Sequence, residues 1–447
     1  MYFVYRLLLT LGFLVLLPRF ILDAFRHGKY VAGFGERMGN LAPLETDEPV
    51  VWIHCVSVGE TQAARPLVNG IHRRFPSHRI VVSTTTLTGQ TLARQIFSAD
   101  AAKVFYFPFD WTWTIRRSLD AIRPSLVLIM ETEIWPGFLR ECKLRRIPVA
   151  IVNGRLSSQS FRRYLWIKGF IKRVLGSLSL AVMQSEDDAK RIRDLGMNPD
   201  SVLVSGSIKF DAGTMTTANL ATTELSKRFG FSSAAPLLIA ASTHAPEESL
   251  VLEAFQKILL NEPRPRLLIA PRHPERFDDV AGLLDGSGLT WTRRTAGPSE
   301  ADKTCDVVLL DTIGELSAVY SLGTIVFVGG SISPTGGHNI LEPAAVGSAI
   351  VTGPHVHNFK EINQIFLEQD AIIQLGVADG VNTANELTRV FTRLLADDDE
   401  LLELQRRAKH VWEQNLGATE LTLDYLEPIM KPSKRPSRSP QEQRIAK

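Results

Sequence analysis

Two rhythms of apolar positions run along this chain. At the N-terminus the run is nearly unbroken. In MYFVYRLLLTLGFLVLLPRFILDAFRHGKY, residues 7–17 are apolar apart from Thr10 and Gly12. The run reaches back through Tyr2–Tyr5 if Arg6 snorkels to an interface, and forward to about Leu22 past Pro18 and Arg19. A spanning helix needs about 20 apolar residues. With a charge near each end, crossing a bilayer and lying in one leaflet both fit. A cleaved signal peptide fits less well, because the first residues are almost uncharged and no small-x-small site follows. Arg19, Arg26, His27 and Lys29 come next. The positive-inside bias would keep them and the following body in the cytoplasm, where they would meet anionic headgroups of membrane phospholipid.

The second rhythm starts at Val50. Short apolar runs alternate with amphipathic segments. The runs VVWIHCV, RIVVST, KVFYFP, LVLIM, PVAIVNG, LAVMQ and SVLVSG read as strands, and stretches such as TQAARPLVNGIHRRF and EDDAKRIRDLG read as helices. A small, polar stretch, DAGTMTTANLAT, interrupts the alternation and reads as a linker. A second series follows, with strands PLLIAAS, RLLIAP, DVVLLD, TIVFVGG and AIVTGP. Apolar strands separated by helices indicate a parallel sheet covered on both faces. The fold class is therefore α/β, with two doubly wound, Rossmann-like domains and an N-terminal membrane-associated helix. The expected layout is an anchor over 1–22, a first domain over 23–210, the linker over 211–222, a second domain over 223–400, a helical segment over 401–427 and a tail over 428–447.

Length agrees, since 447 residues suit two domains of roughly 200 each. Charge excludes some classes. Fifty Lys and Arg against 48 Asp and Glu give a net +2, which argues against a nucleic-acid binder. From Lys431 onward there are six Lys or Arg and one Glu among Pro and Ser, so this tail reads as disordered. It suits anionic lipid or simple solvation equally. Cys55, Cys142 and Cys305 give neither a disulfide framework nor a zinc spacing. No metal triad is evident, so no metal is expected, and no cofactor.

Ligands in doubly wound folds sit outside the carboxyl ends of strands, here expected in a cleft between two domains. The sequence is unusual at several such ends. VWIHCVSVGE sets Ser57 in a turn before Glu60. VLIMETEIWPGF places Glu131 and Glu133 after a buried-looking strand. Buried acids are expensive unless paired or used, so they either carry chemistry or hold the domain through Arg partners. IAPRHPERF puts Arg272 and His273 past another strand, a turn suited to a phosphoryl group; a plain surface histidine is the other reading. LLDTIGELSAVY has Gly314 and Glu315 opening a helix. VFVGGSISPTGGHNILEPAAVG carries Gly330 and Ser331, then Asn339 and Glu342 three apart on an expected helix face. A glycine-rich turn can admit phosphate, and a carboxylate there can accept both hydroxyls of a ribose. The fingerprints GxGxxG, GxxxxGK[ST] and GxSxG are absent. In YVAGFGERMGN, three glycines surround Glu36 and Arg37, either presenting a carboxylate or making a solvent ion pair.

Taken together, GFGERMG, HCVSVGE, ETEIWP, NGRLS, IKFD, APRHPERF, GELS and GGSISPTGGHNILEPA, in this order, resemble the Kdo transferases of lipopolysaccharide assembly. The resemblance runs from the anchor to about Leu426. It implies a GT-B glycosyltransferase at the cell inner membrane, with its domains on the cytoplasmic side. The implied reaction moves Kdo (3-deoxy-D-manno-oct-2-ulosonic acid) from CMP-Kdo to the lipid A precursor, lipid IVA, with inversion and release of CMP. By the same resemblance Glu36 is the general base and Glu131 lines the acceptor side. Arg272 and His273 meet the CMP phosphate. Glu342 holds the ribose with Asn339 nearby. Gly314, Glu315, Gly330 and Ser331 belong to the nucleotide side, and Lys209 and Ser57 contact donor phosphate or the sugar carboxylate. Two positions depart from the family pattern: Gly137 and Ser207 stand where Asn is usual. A UDP-sugar transferase of the same form and a scaffold without turnover are the alternatives.

Overall fold

A computed structural model describes residues 2–27, 33–212, 219–231, 235–260, 264–377 and 380–431, with the backbone alone at 17–27, 219 and 220. Half of the expected linker, 213–218, and most of the expected tail, 432–447, lie outside these residues. The chain divides into two compact units, Met1–Ala212 with Leu416–Lys447, and Gly213–Asn415.

The first unit is built on seven strands: β1 (Val50–Cys55), β2 (Arg79–Thr84), β3 (Lys103–Tyr106), β4 (Leu126–Met130), β5 (Val149–Gly154), β6 (Leu180–Met183) and β7 (Val202–Val204). They pair in the order β3-β2-β1-β4-β5-β6-β7, all parallel. All seven strands read from the sequence are present. Side chains of β1 alternate between two cores, as a period of two requires. Val51, Ile53 and Cys55 join Leu67, Leu128 and Leu423 on one face, while Val50 and Trp52 join Phe105, Ile115 and Phe138 on the other.

The N-terminal segment forms one helix, Tyr2–His27. One face is engaged by the body. Tyr2 and Tyr5 pack on Phe170, and Phe13 packs on Phe109 and Trp111. The Tyr5 hydroxyl donates to buried Asp110 at 2.7 Å, and Trp111 Nε1 donates to Thr10 at 3.2 Å. Arg6 does not snorkel. Its guanidinium lies 3.9 Å from buried Glu141, which also binds Arg116 at 2.8 Å. Phe3, Val4, Leu7, Leu8, Leu11, Leu14 and Val15 stay exposed. No helix among the described residues is long and apolar enough to cross a membrane, so the crossing reading has no support. Arg6 and Thr10 break the run, and the face that holds them is already committed to protein.

The last helix, Ala418–Met430, returns to the first unit instead of trailing from the second. Leu423 and Leu426 complete a core face against the helix Val58–Arg74, and Arg73 and Arg74 of that helix pair with Glu420, Asp424 and Glu427. Asp211, from the IKFD motif, fixes its start. The carboxylate accepts from the amides of Gly417 at 2.8 Å and Thr419 at 2.6 Å. Asp211→Ala leaves both donors without this partner and should cost about 1–2 kcal/mol, the usual value of a helix cap. Urea unfolding of the full chain measures it, and an unchanged midpoint would refute the capping role.

The second unit repeats the plan with β8 (Leu237–Thr243), β9 (Arg266–Pro271), β10 (Trp291–Arg293), β11 (Val307–Leu309), β12 (Ile325–Val328), β13 (Ala349–Thr352) and β14 (Ile373–Gln374). The order is β10-β11-β9-β8-β12-β13-β14, again all parallel. The five expected strands form its centre. The two edges, β10 and β14, are three and two half-buried residues long, too short to show a period.

Candidate active site

The strand order turns back between β1 and β4 in the first unit and between β8 and β12 in the second. Open α/β sheets gather ligands outside the strand ends at such a point. The side chains found there differ in charge between the units.

In the first unit the switch point holds carboxylates. Glu60 is buried and both its oxygens are used, one accepting from the Val56 amide at 2.7 Å and the other from the Ser57 hydroxyl at 3.0 Å. Burial pushes its carboxyl up to about 7; the charges of Glu131 and Glu133 add to this and the Val56 amide opposes it. Glu131 leaves β4 with φ +52°, a left-handed turn, and pairs with Lys209 Nζ at 2.9 Å. Burial and the Glu131 charge also push Glu133 up. Thr132 faces away and accepts from the Arg155 amide at 2.9 Å. Glu131 and Glu133 beside Glu60 form a carboxylate-rich edge that accepts hydrogen bonds, which suits hydroxyl-rich ligands.

Glu36 lies farther along the same edge, on the short helix Phe34–Arg37. Gly33 starts that turn at φ +72°, and a Cβ there would fall 1.8 Å from the Tyr106 ring, so only glycine fits. One carboxylate oxygen accepts from the Tyr106 amide at 2.8 Å, and the other is 3.7 Å from Arg94. The Arg37 guanidinium stacks 4.4 Å above the Tyr106 ring. Glu36 is thereby fastened to the end of β3, three strand intervals from β4, roughly 14 Å along the edge.

Asp110 supports the ETEIWP segment. Its carboxylate accepts from the amides of Gly137 and Phe138, each at 2.7 Å, at the start of the helix Pro136–Leu144. A Cβ at residue 137 would lie 2.8 Å from the Asp110 carbonyl oxygen, which explains glycine at this departure from the family pattern. At the other departure, the buried Ser207 hydroxyl has no partner among the described residues.

In the second unit the switch point holds imidazoles and a guanidinium. His244 follows β8, Arg272 and His273 follow β9, and His338 closes the glycine-rich turn after β12. Arg272 is exposed and makes no ion pair with a described residue. Glu247 sits beneath. Fully buried, its carboxylate accepts from five backbone amides: His244 at 2.9 Å, Gly330 at 2.7 Å, Ser331 at 2.9 Å, Ile332 at 2.8 Å and Ser333 at 3.1 Å. Nearby, Asn339 donates to Glu342 at 3.1 Å and caps Leu341 through its carbonyl. The helix begins at Leu341, two residues later than expected. Burial pushes the Glu342 carboxyl up, with the Asn339 bond opposing. Among the described residues no group of three or more His, Cys, Asp or Glu is spaced to hold a metal ion.

Residues 32–212 match the family described as 3-deoxy-D-manno-octulosonic-acid transferase (kdotransferase). The 3-deoxy-D-manno-octulosonic acid transferase of Haemophilus influenzae is 34% identical over 403 residues, 90% of this chain and 92% of that protein. The enzyme of the same name from Bordetella pertussis is 33% identical over 408 residues, 89% of this chain and 90% of that protein. The chain belongs to the Kdo transferase family. It is therefore a glycosyltransferase acting on Kdo. Solved structures agree on its fold. A UDP-GlcNAc 2-epimerase from Neisseria meningitidis matches with a TM-score of 0.58 and 13% identity, covering 85% of this chain and 99% of that one. A glycosyltransferase from Rickettsia africae matches at 0.53 and 14%, covering 87% and 100%. At such identities these show only the fold, which is of the GT-B type.

In this Kdo transferase the expected site residues fall into two sets, each within one unit. Glu36, Ser57, Glu131 and Lys209 share the strand-end edge of the first. Arg272, His273, Asn339 and Glu342 share that of the second. Four of the expected residues, Gly314, Glu315, Gly330 and Ser331, are engaged otherwise than expected. The amides of Gly330 and Ser331 are taken by Glu247, and Ser331 has no exposed surface, so neither offers a free donor to a phosphate. The helix after Gly314 and Glu315 is only Leu316–Val319, and the Glu315 carboxylate is held by Arg294 at 2.9 Å and by Thr312. Burial raises that carboxyl, but these bonds hold it below the usual range. Sequence reasoning left out Glu247 and His244 and gave Glu60 no role. The available signal was STHAPEE, a histidine and paired acids directly after a strand.

Proposed function

We propose that this enzyme transfers Kdo from CMP-Kdo to lipid IVA, releasing CMP with inversion at the anomeric carbon. The division of charge carries the reading: carboxylates at the first unit's strand ends, and an exposed arginine among histidines at the second's. Carboxylates suit an acceptor that presents hydroxyls, and cations suit an anionic donor.

In this mechanism Glu36 accepts the proton of the acceptor hydroxyl as its oxygen attacks the anomeric carbon. The bond from that carbon to the phosphate oxygen breaks, and its electron pair leaves with CMP. The Tyr106 amide keeps one Glu36 oxygen occupied and leaves the other for the substrate. Glu131, steered by Lys209, binds acceptor hydroxyls. Arg272 and His273 neutralise the phosphate as it gains charge, and Glu342 takes the ribose. The exposed face of the first helix lies in the cytoplasmic leaflet of the inner membrane, where the acceptor is found.

Mass spectrometry of the lipid after incubation with CMP-Kdo in detergent tests the reading. A mass gain of one or more Kdo units is expected. Transfer from a UDP-sugar alone would sink it. Arg272→Ala should weaken CMP binding about 10- to 100-fold, the worth of a charge-assisted hydrogen bond. Equal affinity in a calorimetric titration would remove Arg272 from the phosphate site.

A further inference from the structure

His244 and His338 meet in an unusual way. Their Nε2 atoms are 2.9 Å apart, and their rings are near parallel, with centroids at 5.1 Å. One Nε2 must therefore donate and the other accept. The contact holds in two states only. The neutral pair carries two protons, one of them between the rings. The monocation carries a third, so that both Nδ1 atoms become donors. A dication would set two N–H groups against each other. The pair can thus gain one proton, and only one, without moving.

Its surroundings decide which state is present. His273 faces His244 edge-on at 5.2 Å, and Arg272 stands beside both rings. Glu248 and Arg276 pair at 3.2 Å close to His244, and the Glu247 carboxylate takes the His244 amide. Burial, then the Arg272 charge, lowers His338 to about 4. Burial and His273 lower His244, with Glu248 opposing. The pair without ligand is therefore neutral at pH 7. An anion brought to Arg272 adds negative charge beside it and favours the charged form.

We infer that His244 and His338 act as a single proton-accepting unit that charges when the nucleotide phosphate binds and gains one further N–H donor. This rests on the CMP-Kdo reading. The sign follows from linkage. If the ligand raises the pair's pKa, binding takes up a proton, and affinity falls as pH rises through the bound-state value.

Calorimetric titration of the full chain with CMP at pH 8, in two buffers of different ionisation enthalpy, counts the protons. At that pH the free phosphate, with its second pKa near 6, is already dianionic. Uptake approaching one proton is expected for the wild type. His244→Gln and His338→Gln should each lose the uptake and bind about ten-fold more weakly, the effect of one charge-assisted donor. Near-ultraviolet circular dichroism checks that both variants are folded. CMP binding without uptake, or with equal uptake in the variants, overturns the inference and leaves the donor assignment standing. No CMP binding by the wild type overturns both.

Discussion

Glu36→Ala should abolish Kdo transfer while leaving CMP affinity within about two-fold of the wild type. A positioned general base contributes about 10²- to 10⁴-fold. Glu36 belongs to the first unit and among the described residues meets the Tyr106 amide and Arg94, so its loss should not reach the residues around Arg272. Glu36→Gln keeps a hydrogen bond to the Tyr106 amide and should fail equally, since an amide cannot take the proton. Single-turnover transfer and calorimetric CMP titration on the same preparations separate the cases. A Gln variant that retains wild-type rate would show the carboxylate to be a support for the loop and no base at all.

The second large effect is expected at Glu247, which the reaction does not touch. Its carboxylate gathers the amides of residues 330–333 and that of His244. Glu247→Ala strips those buried donors of their acceptor, at about 1–3 kcal/mol for each that stays unsatisfied. Water entering the space should reduce the total, so a loss of about 3 kcal/mol or more is expected in urea unfolding. Glu247→Gln is the sharper variant. It has nearly the same shape but sets an NH2 group against backbone N–H groups, so it should still weaken CMP binding while folding. Wild-type stability and affinity in the Gln variant would refute the account.

The sheets were legible because a buried parallel strand is an apolar run, and LVLIM or RLLIAP can be little else. The strand ends were legible as places where chemistry gathers, because Glu131, Arg272 and Glu342 are too polar for what precedes them. Partnership was not legible. Gly330 reads as part of a phosphate turn, yet the anion that its amide binds is a side chain of the protein, contributed by a helix more than eighty residues earlier. His244 and His338 are 94 positions apart in sequence, and only the crossing of β8 and β12 side by side brings them together. The first helix misled for a related reason. Periodicity shows an apolar stripe, but whether Arg6 looks to water or to Glu141 depends on a partner that sequence spacing does not reveal.

The return of the last helix has a consequence for synthesis. The segment 213–415 is contiguous, so the second unit can fold as soon as it has left the ribosome. The first unit cannot finish at that stage. The core surface that receives Leu423 and Leu426, and the carboxylate of Asp211, stay uncovered until the final turn of the body has been made. A domain that emerges first is thus completed last, and for the interval it exposes an apolar groove. A chain halted before Leu416 would carry a sound second unit and an open first one, the form that chaperones and proteases recognise.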